Sequence, residues 1–183
     1  IMEEAIKMAI SNNIVVVAAA GNENWDEVSI PAGYEGVISV GSVSSDKQLS
    51  SFSNYGPSIG LVAPGEEVYS TAYLPEKQST YVQISGTSMA SPVVAAAASM
   101  LLSKYPDLSP AQVEYILEQT ADDLGARGFD TKFGNGLVNI VEALSFPLDQ
   151  IPSSVKIDWS IDEIKEKAEY VEDSSSFVKE GAF

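Results

Sequence analysis

Along the first sixty residues the apolar positions switch between two spacings. Met2, Ala5, Ile6, Ala9 and Ile10 recur at i, i+3, i+4, i+7 and i+8, one stripe of a helix. Asn12-Asn13 ends that pattern. Residues 14–20 are then apolar without a break and close on Gly21-Asn22, which predicts a strand covered on both faces, as in a parallel sheet. Val37–Val43 is a second β-rich run, preceded by the turn residues Pro31 and Gly33, and residues 59–63 are a third, closed by Pro64-Gly65. Val68–Leu74 and residues 81–84 read as a hairpin or ribbon joined by the polar residues 75–80.

In the second half the spacing is helical. Residues 93–102 are almost wholly apolar, which predicts a helix built for complete burial, opened by Pro92 in its first turn. Ser109-Pro110-Ala111-Gln112 combines an N-cap, a proline at the first helical position and a capping box, with Val113, Ile116 and Leu117 as the apolar stripe. Gly134-Asn135-Gly136 marks a turn, and residues 137–144 complete a compact unit. Beyond Ser145 the texture changes: Pro147 and Pro152 break the chain, and a short amphipathic helix is expected from Ser160, with Glu163 at its capping-box position. The residues from Ser174 onward read as frayed. Strands alternating with helices predict an α/β fold with a mostly parallel sheet over residues 1–144, and a C-terminal extension or the start of an accessory segment over 145–183.

Composition narrows the chemistry. The 183 residues suffice for a real core, since a chain this size buries about 70% of its unfolded surface. Twenty-six acidic residues face ten basic ones, a formal charge of −16 that repels nucleic acid and anionic membranes. No apolar run reaches the roughly 18 residues of a membrane span. Ile1 is neither an initiator methionine nor part of a signal peptide, so the true start is expected upstream. With no cysteine there is no disulfide or thiolate metal site, and the compartment stays open. With no histidine, the usual zinc ligand and the usual base near neutral pH are both missing, which leaves only an oxygen-ligated cation such as calcium.

Against that background Ser88 stands out. It lies in Gly86-Thr87-Ser88-Met89-Ala90-Ser91-Pro92, at the strand-to-helix junction where helix N–H groups favour developing negative charge. A serine becomes a nucleophile only with a base to take its proton and donors to hold the oxyanion. Taken alone, Thr87, Ser88 and Ser91 are ordinary helix caps. Asn22, taken alone, is a turn asparagine, although it follows a strand at the edge of the sheet where ligands bind in open α/β folds.

Together these segments resemble the subtilisin family of serine peptidases. Residues 14–23 resemble the stretch that carries the family's oxyanion asparagine, and residues 86–92 its nucleophile motif. Ile30-Pro31-Ala32 through Val40-Gly41, Ser51 to Gly56, Ala63-Pro64-Gly65 and Gly134 to Asn139 follow the family's order, so the resemblance covers about residues 1–144. It implies helices on both faces of the sheet and a fold incomplete on its N-terminal side, because the family's catalytic aspartate and histidine motifs come earlier and are missing here. It implies Ser88 as nucleophile, and Asn22 with the Ser88 backbone N–H as the oxyanion hole, supported by Thr87. Ala19, Ala20 and Gly21 would form the wall of a substrate pocket, with Ser29 as a candidate for its floor and Met89 beside the nucleophile.

The resemblance implies a peptide or protein substrate, a partner in the upstream half of the same domain, and an extracellular or cell-surface setting. No cofactor is certain from it. Calcium is left open for the complete domain, although Ser58 and Gly60 stand where some members place acidic ligands near Ala32, Tyr34 and Val37. Sedolisins, histidine-free relatives, typically place an aspartate in the oxyanion hole, so Asn22 favours the subtilisin branch. Asp26, Asp46, Asp122 and Asp123 read as solvated loop charges. The rival to an endopeptidase is a truncated, non-catalytic peptide-binding or pseudo-enzyme module.

Overall fold

The computed structural model describes residues 1–76 and 78–156. The helix expected from Ser160 and the tail from Ser174 lie outside the described residues. The chain opens with helix α1 (Met2–Ser11) and strand β1 (Val16–Ala19), followed by β2 (Val37–Val43) and β3 (Leu61–Pro64). A hairpin of β4 (Val68–Leu74) and β5 (Gln78–Ile84) leads into α2 (Thr87–Lys104), then α3 (Pro110–Gln119), α4 (Ile140–Ser145) and a 3₁₀ turn (Leu148–Gln150).

β1, β2 and β3 form a parallel sheet in that order, with Val16 opposite Val37 and Val40 opposite Leu61. A single parallel bridge from Val62 to Leu137 continues it beyond β3. β2 is central, and all seven of its residues are buried. Because successive side chains in a strand point to opposite faces, the sheet feeds two cores. On one face Ile38, Val40, Leu61 and Ala63 pack with Ala90, Val94, Ala97 and Leu101 of α2 and with Val113, Ile116 and Leu117 of α3. On the other, Ala18, Ala20, Val28, Val37 and Ile59 pack with Ile6 of α1. Helices therefore cover both faces, as expected.

β3 spans Leu61–Pro64 rather than residues 59–63, and three further elements differ in extent from their sequence pattern. β1 begins at Val16 rather than at residue 14, because Asn13 turns at φ 63° and the Ile14 N–H still closes on Ala9 C=O at the end of α1. β5 begins at Gln78, so it pairs with β4 along its whole length. The largest difference is α2, which starts at Thr87, so Pro92 lies inside the helix and not in its opening turn. Proline has no N–H to give the carbonyl four residues back, that of Ser88, so the first turn and a half depends on contacts from elsewhere.

β1 is packed on both faces, Val17 against the α2 core and Ala18 in the other, but among the described residues it is paired along one edge only and α2 is buried on one side only. β1 pairs with β2 alone, and its other edge carries no strand. α2 buries Ala90, Val94, Ala97, Ala98 and Leu101 against the sheet, while Val93 and Met100 are exposed.

Candidate active site

The carboxyl ends of β1 and β3 and the first turn of α2 converge. Beyond β3, Gly65 accepts from the Gly86 N–H at 2.8 Å. A Cβ on Gly65 would meet the Gly86 carbonyl and the Ser42 hydroxyl, so glycine is what lets the start of α2 sit against the end of β3. Beyond β1 the chain turns at Gly21 (φ 113°), where a side chain would run into Asn54 and Ser29.

The start of α2 has no side-chain cap of its own. Asn22, 65 residues earlier, fills that role: its Oδ1 accepts from the Thr87 N–H at 2.8 Å and from Thr87 Oγ1 at 3.0 Å. Thr87, which is fully buried, also takes the Gly21 N–H on its hydroxyl at 3.2 Å. This geometry fixes the orientation of the Asn22 carboxamide. Its oxygen is committed to Thr87, and among the described residues no acceptor takes its Nδ2 protons. The Met89 N–H closes on Gly86 C=O at 2.9 Å, whereas the Ser88 N–H and hydroxyl find no partner among the described residues. Ser88 is exposed and Met89 half-buried, with the Met89 sulfur and the Asn22 carboxamide both facing the Cα of Gly86. One face of the junction thus holds an exposed hydroxyl and two unengaged N–H donors at a helix N-terminus, where anions are favoured.

The remaining candidate residues fall behind this face. Ala19 ends β1 half-buried. Ala20 is fully buried in the second core with both backbone groups engaged, its N–H donating to Val40 C=O and its C=O accepting from the Ser29 N–H, so it lies beneath the surface that Ala19 and Gly21 present. Ser29 sits against Gly21, with its hydroxyl accepting from Asn54 Nδ2 at 3.4 Å. The sequence reading missed Asn54 and Glu23, which tie the turn around Asn22 together. Both lie inside family-like segments, residues 14–23 and Ser51 to Gly56, but nothing local in either marks a buried asparagine or its tie to the turn at Asn22.

The acids stand elsewhere. Asp122 pairs with Lys47 at 3.4 Å and accepts from Asn139, and Asp123 accepts from the Gly128 N–H. Glu118 of α3 is pushed up to about 7 by burial and by the neighbouring Glu114 carboxylate, but it packs beside Gly60, at the end of β3 opposite Gly65. Among the described residues no three acidic side chains converge, Ser58 and Gly60 bring no carboxylate, and the Tyr34 carbonyl accepts from the Val37 N–H.

Residues 2–136 match the subtilase family. Subtilisin DY of Bacillus licheniformis is 44% identical over 146 residues, covering 78% of this chain and 51% of that protein. Subtilisin Savinase of Lederbergia lenta is 40% identical over 138 residues, covering 75% of this chain and 49% of that protein. The chain spans about half the length of these curated relatives. Among solved structures, a protease from Pseudoalteromonas arctica superposes with a TM-score of 0.73 at 34% identity, over 78% of this chain and 45% of the other. A lanthipeptide protease superposes at 0.69 and 27% identity, over 79% of this chain and 54% of the other. With a parallel sheet, a helix beginning at Gly86-Thr87-Ser88 and a family match over most of its length, this chain belongs to the subtilase family of serine peptidases.

Proposed function

We propose that this chain carries the nucleophile and the oxyanion donors of a serine endopeptidase, and that the general base and its orienting carboxylate come from residues outside it. In this reading Ser88 Oγ attacks the peptide carbonyl carbon while the external base accepts its proton. The carbonyl oxygen becomes an oxyanion and receives hydrogen bonds from Asn22 Nδ2 and the Ser88 N–H. Collapse of the tetrahedral species expels the amine, which takes the proton back from the base and leaves the acyl group on Ser88. Water then repeats the sequence and releases the acid. Ala19 and Gly21 lie beside the substrate, with the buried Ala20 supporting that wall, Ser29 behind it and Met89 next to the nucleophile.

The observation that carries this reading is the commitment of Asn22 Oδ1 to Thr87, which leaves its N–H donors and that of Ser88 unengaged beside an exposed hydroxyl. Donors held in place before charge develops cost no reorganisation when it does, which is why such groups dominate acyl-transfer catalysis. An extracellular or cell-surface setting and a peptide substrate belong to the same reading, as does calcium in a complete domain, which the residues present here do not favour.

The second reading, a non-catalytic peptide-binding module, is favoured by the absence of any histidine in the chain. A fluorophosphonate probe applied to the full-length protein separates the two. Stoichiometric labelling that is lost in Ser88→Ala supports the peptidase. No labelling of the folded full-length protein supports the binding module.

A further inference from the structure

We propose that Asn54 is a positioning residue for the Asn22 carboxamide, holding the turn that aims it at the oxyanion; this inference rests on the peptidase reading. Asn54 is fully buried in the loop between β2 and β3, and every polar atom of its side chain is used on the turn that carries Asn22. Its Oδ1 accepts from the Glu23 N–H at 2.9 Å and the Trp25 N–H at 3.1 Å. Its Nδ2 donates to Glu23 Oε2 at 2.9 Å and to Ser29 Oγ at 3.4 Å. Its own backbone N–H donates to Gly21 C=O at 3.0 Å. Glu23 closes the loop, since the same Oε2 accepts from the Asn22 N–H at 2.9 Å.

Asn22 is therefore held from two sides. Asn54 and Glu23 hold its backbone and the residues flanking it, while Thr87 holds its carboxamide oxygen. Two fixed ends determine where Nδ2 points, and neither alone would. Thr87 moves with α2, so without Asn54 the turn could follow the helix or rotate away from it.

The anchor behind Asn54 is the central strand. Ser53 Oγ accepts from the Ser42 N–H at 3.0 Å and donates to Asn54 C=O at 3.0 Å. The Ser42 and Ser50 hydroxyls bond to each other at 2.7 Å, and the Ser50 N–H reaches Ser42 C=O at 2.9 Å. Ser42, Ser50, Ser53 and Asn54 are all buried, where such hydrogen bonds are strong and costly to break. A continuous polar chain thus runs from β2 through Asn54 to Asn22, and its end is a group whose misplacement by about 1 Å can cost about 10²-fold in rate.

The test uses the full-length protein with Asn54→Ala, Asn54→Asp and the double variant Asn54→Asp with Glu23→Gln, each normalised to active sites by fluorophosphonate titration. The carboxylate of Asn54→Asp keeps acceptors for the Glu23 and Trp25 N–H groups but faces the Glu23 side chain with a like charge. Adding Glu23→Gln removes that repulsion. The expected result is a fall in kcat of about 10–10²-fold per titrated site for both single variants, little change in KM, and substantial recovery in the double variant. A merely structural role would lower the number of titratable sites and the thermal midpoint while leaving kcat per site intact, and that result overturns the proposal. The second measurement is independent of activity: the Asn22 side-chain amide resonances should shift or broaden in Asn54→Ala. If the unmutated protein has no peptidase activity, the peptidase reading fails by itself. In that case unchanged Asn22 resonances overturn the positioning role, and altered ones support it.

Discussion

The side-chain oxygen of Asn22 accepts both the backbone N–H and the hydroxyl of Thr87, at 2.8 and 3.0 Å, so one residue caps a helix and is oriented by it. Thr87→Val removes the hydroxyl at nearly constant shape. It leaves the Gly21 N–H without its acceptor and Asn22 with one donor fewer. We expect a loss of about 1–3 kcal/mol in urea unfolding of the full-length protein, the cost of an unsatisfied buried polar group. Thr87→Ser should lose much less.

Asn22→Ala in the full-length protein should lower kcat by about 10²–10³-fold with KM nearly unchanged. That magnitude is the one established for subtilisin's oxyanion asparagine. Steady-state kinetics on a chromogenic peptide decides it: a rise in KM at constant kcat would assign Asn22 to substrate binding instead.

Ser109→Ala should cost about 1 kcal/mol in the same unfolding assay, a typical loss for a helix N-cap. Its hydroxyl accepts from the Gln112 N–H at 3.3 Å while Gln112 Oε1 takes the Ser109 N–H at 2.9 Å. Ser109→Asp should retain most of the stability.

The contrast between α3 and α2 shows what the sequence could reveal. The start of α3 is encoded within four residues, Ser109 to Gln112, so its cap and its proline are readable in place. The start of α2 is encoded by Asn22, Gly65 and Thr87 together, contacts across as many as 65 residues, and Pro92 then misplaces the boundary inside the helix. The same division holds in the site. Ser88 and Asn22 sit in short motifs whose chemistry can be read in place, whereas Asn54, although it lies in the family-like segment Ser51 to Gly56, acts only through contacts made by the fold. β2 is legible because both its faces are buried and its interruptions, Ser39, Gly41 and Ser42, are small residues between β-branched ones. β1 is overextended in the sequence pattern because the apolar residues at 14 and 15 continue the run while the backbone is still leaving α1.

Glu118 gives the stability a pH dependence of known sign. Burial and the Glu114 carboxylate raise it from an ordinary value of 4.5 to about 7, so the folded state holds a proton that the unfolded state has lost. The protonated form's contribution is complete below pH 4.5 and is lost as the pH rises toward 7. Glu118→Gln, which keeps the shape without the charge, should stabilise the protein above pH 7 by on the order of 2 kcal/mol and have little effect at about pH 4. Urea midpoints measured from about pH 4 to 8 check this. A variant whose stability follows the parent across that range would show that Glu118 titrates normally.

The 183-residue chain taken alone should behave as a loose, self-associating state. Among the described residues β1 is hydrogen-bonded on one side, and its other edge presents a row of N–H and C=O groups with no strand against them, a template for a second chain. On α2, Val93 and Met100 face solvent at 39% and 49% exposure, although the helix is apolar nearly all round. The hairpin β4–β5 is a separate two-stranded sheet with Tyr69, Tyr73 and Tyr81 exposed on one face, and such a unit is marginal in water without support. Leaving a large apolar side chain uncovered forgoes about 1.5–3 kcal/mol. A handful of them equals a typical domain stability of about 5–15 kcal/mol. The missing cover is therefore comparable to everything that would hold the fold together. Size-exclusion chromatography, dye binding and calorimetry on the isolated chain should show oligomers, bound dye and no sharp transition. The full-length protein should show a single cooperative one. A monomeric isolated chain that melts sharply and binds no dye would mean that the two cores around β2 suffice without a neighbour for β1.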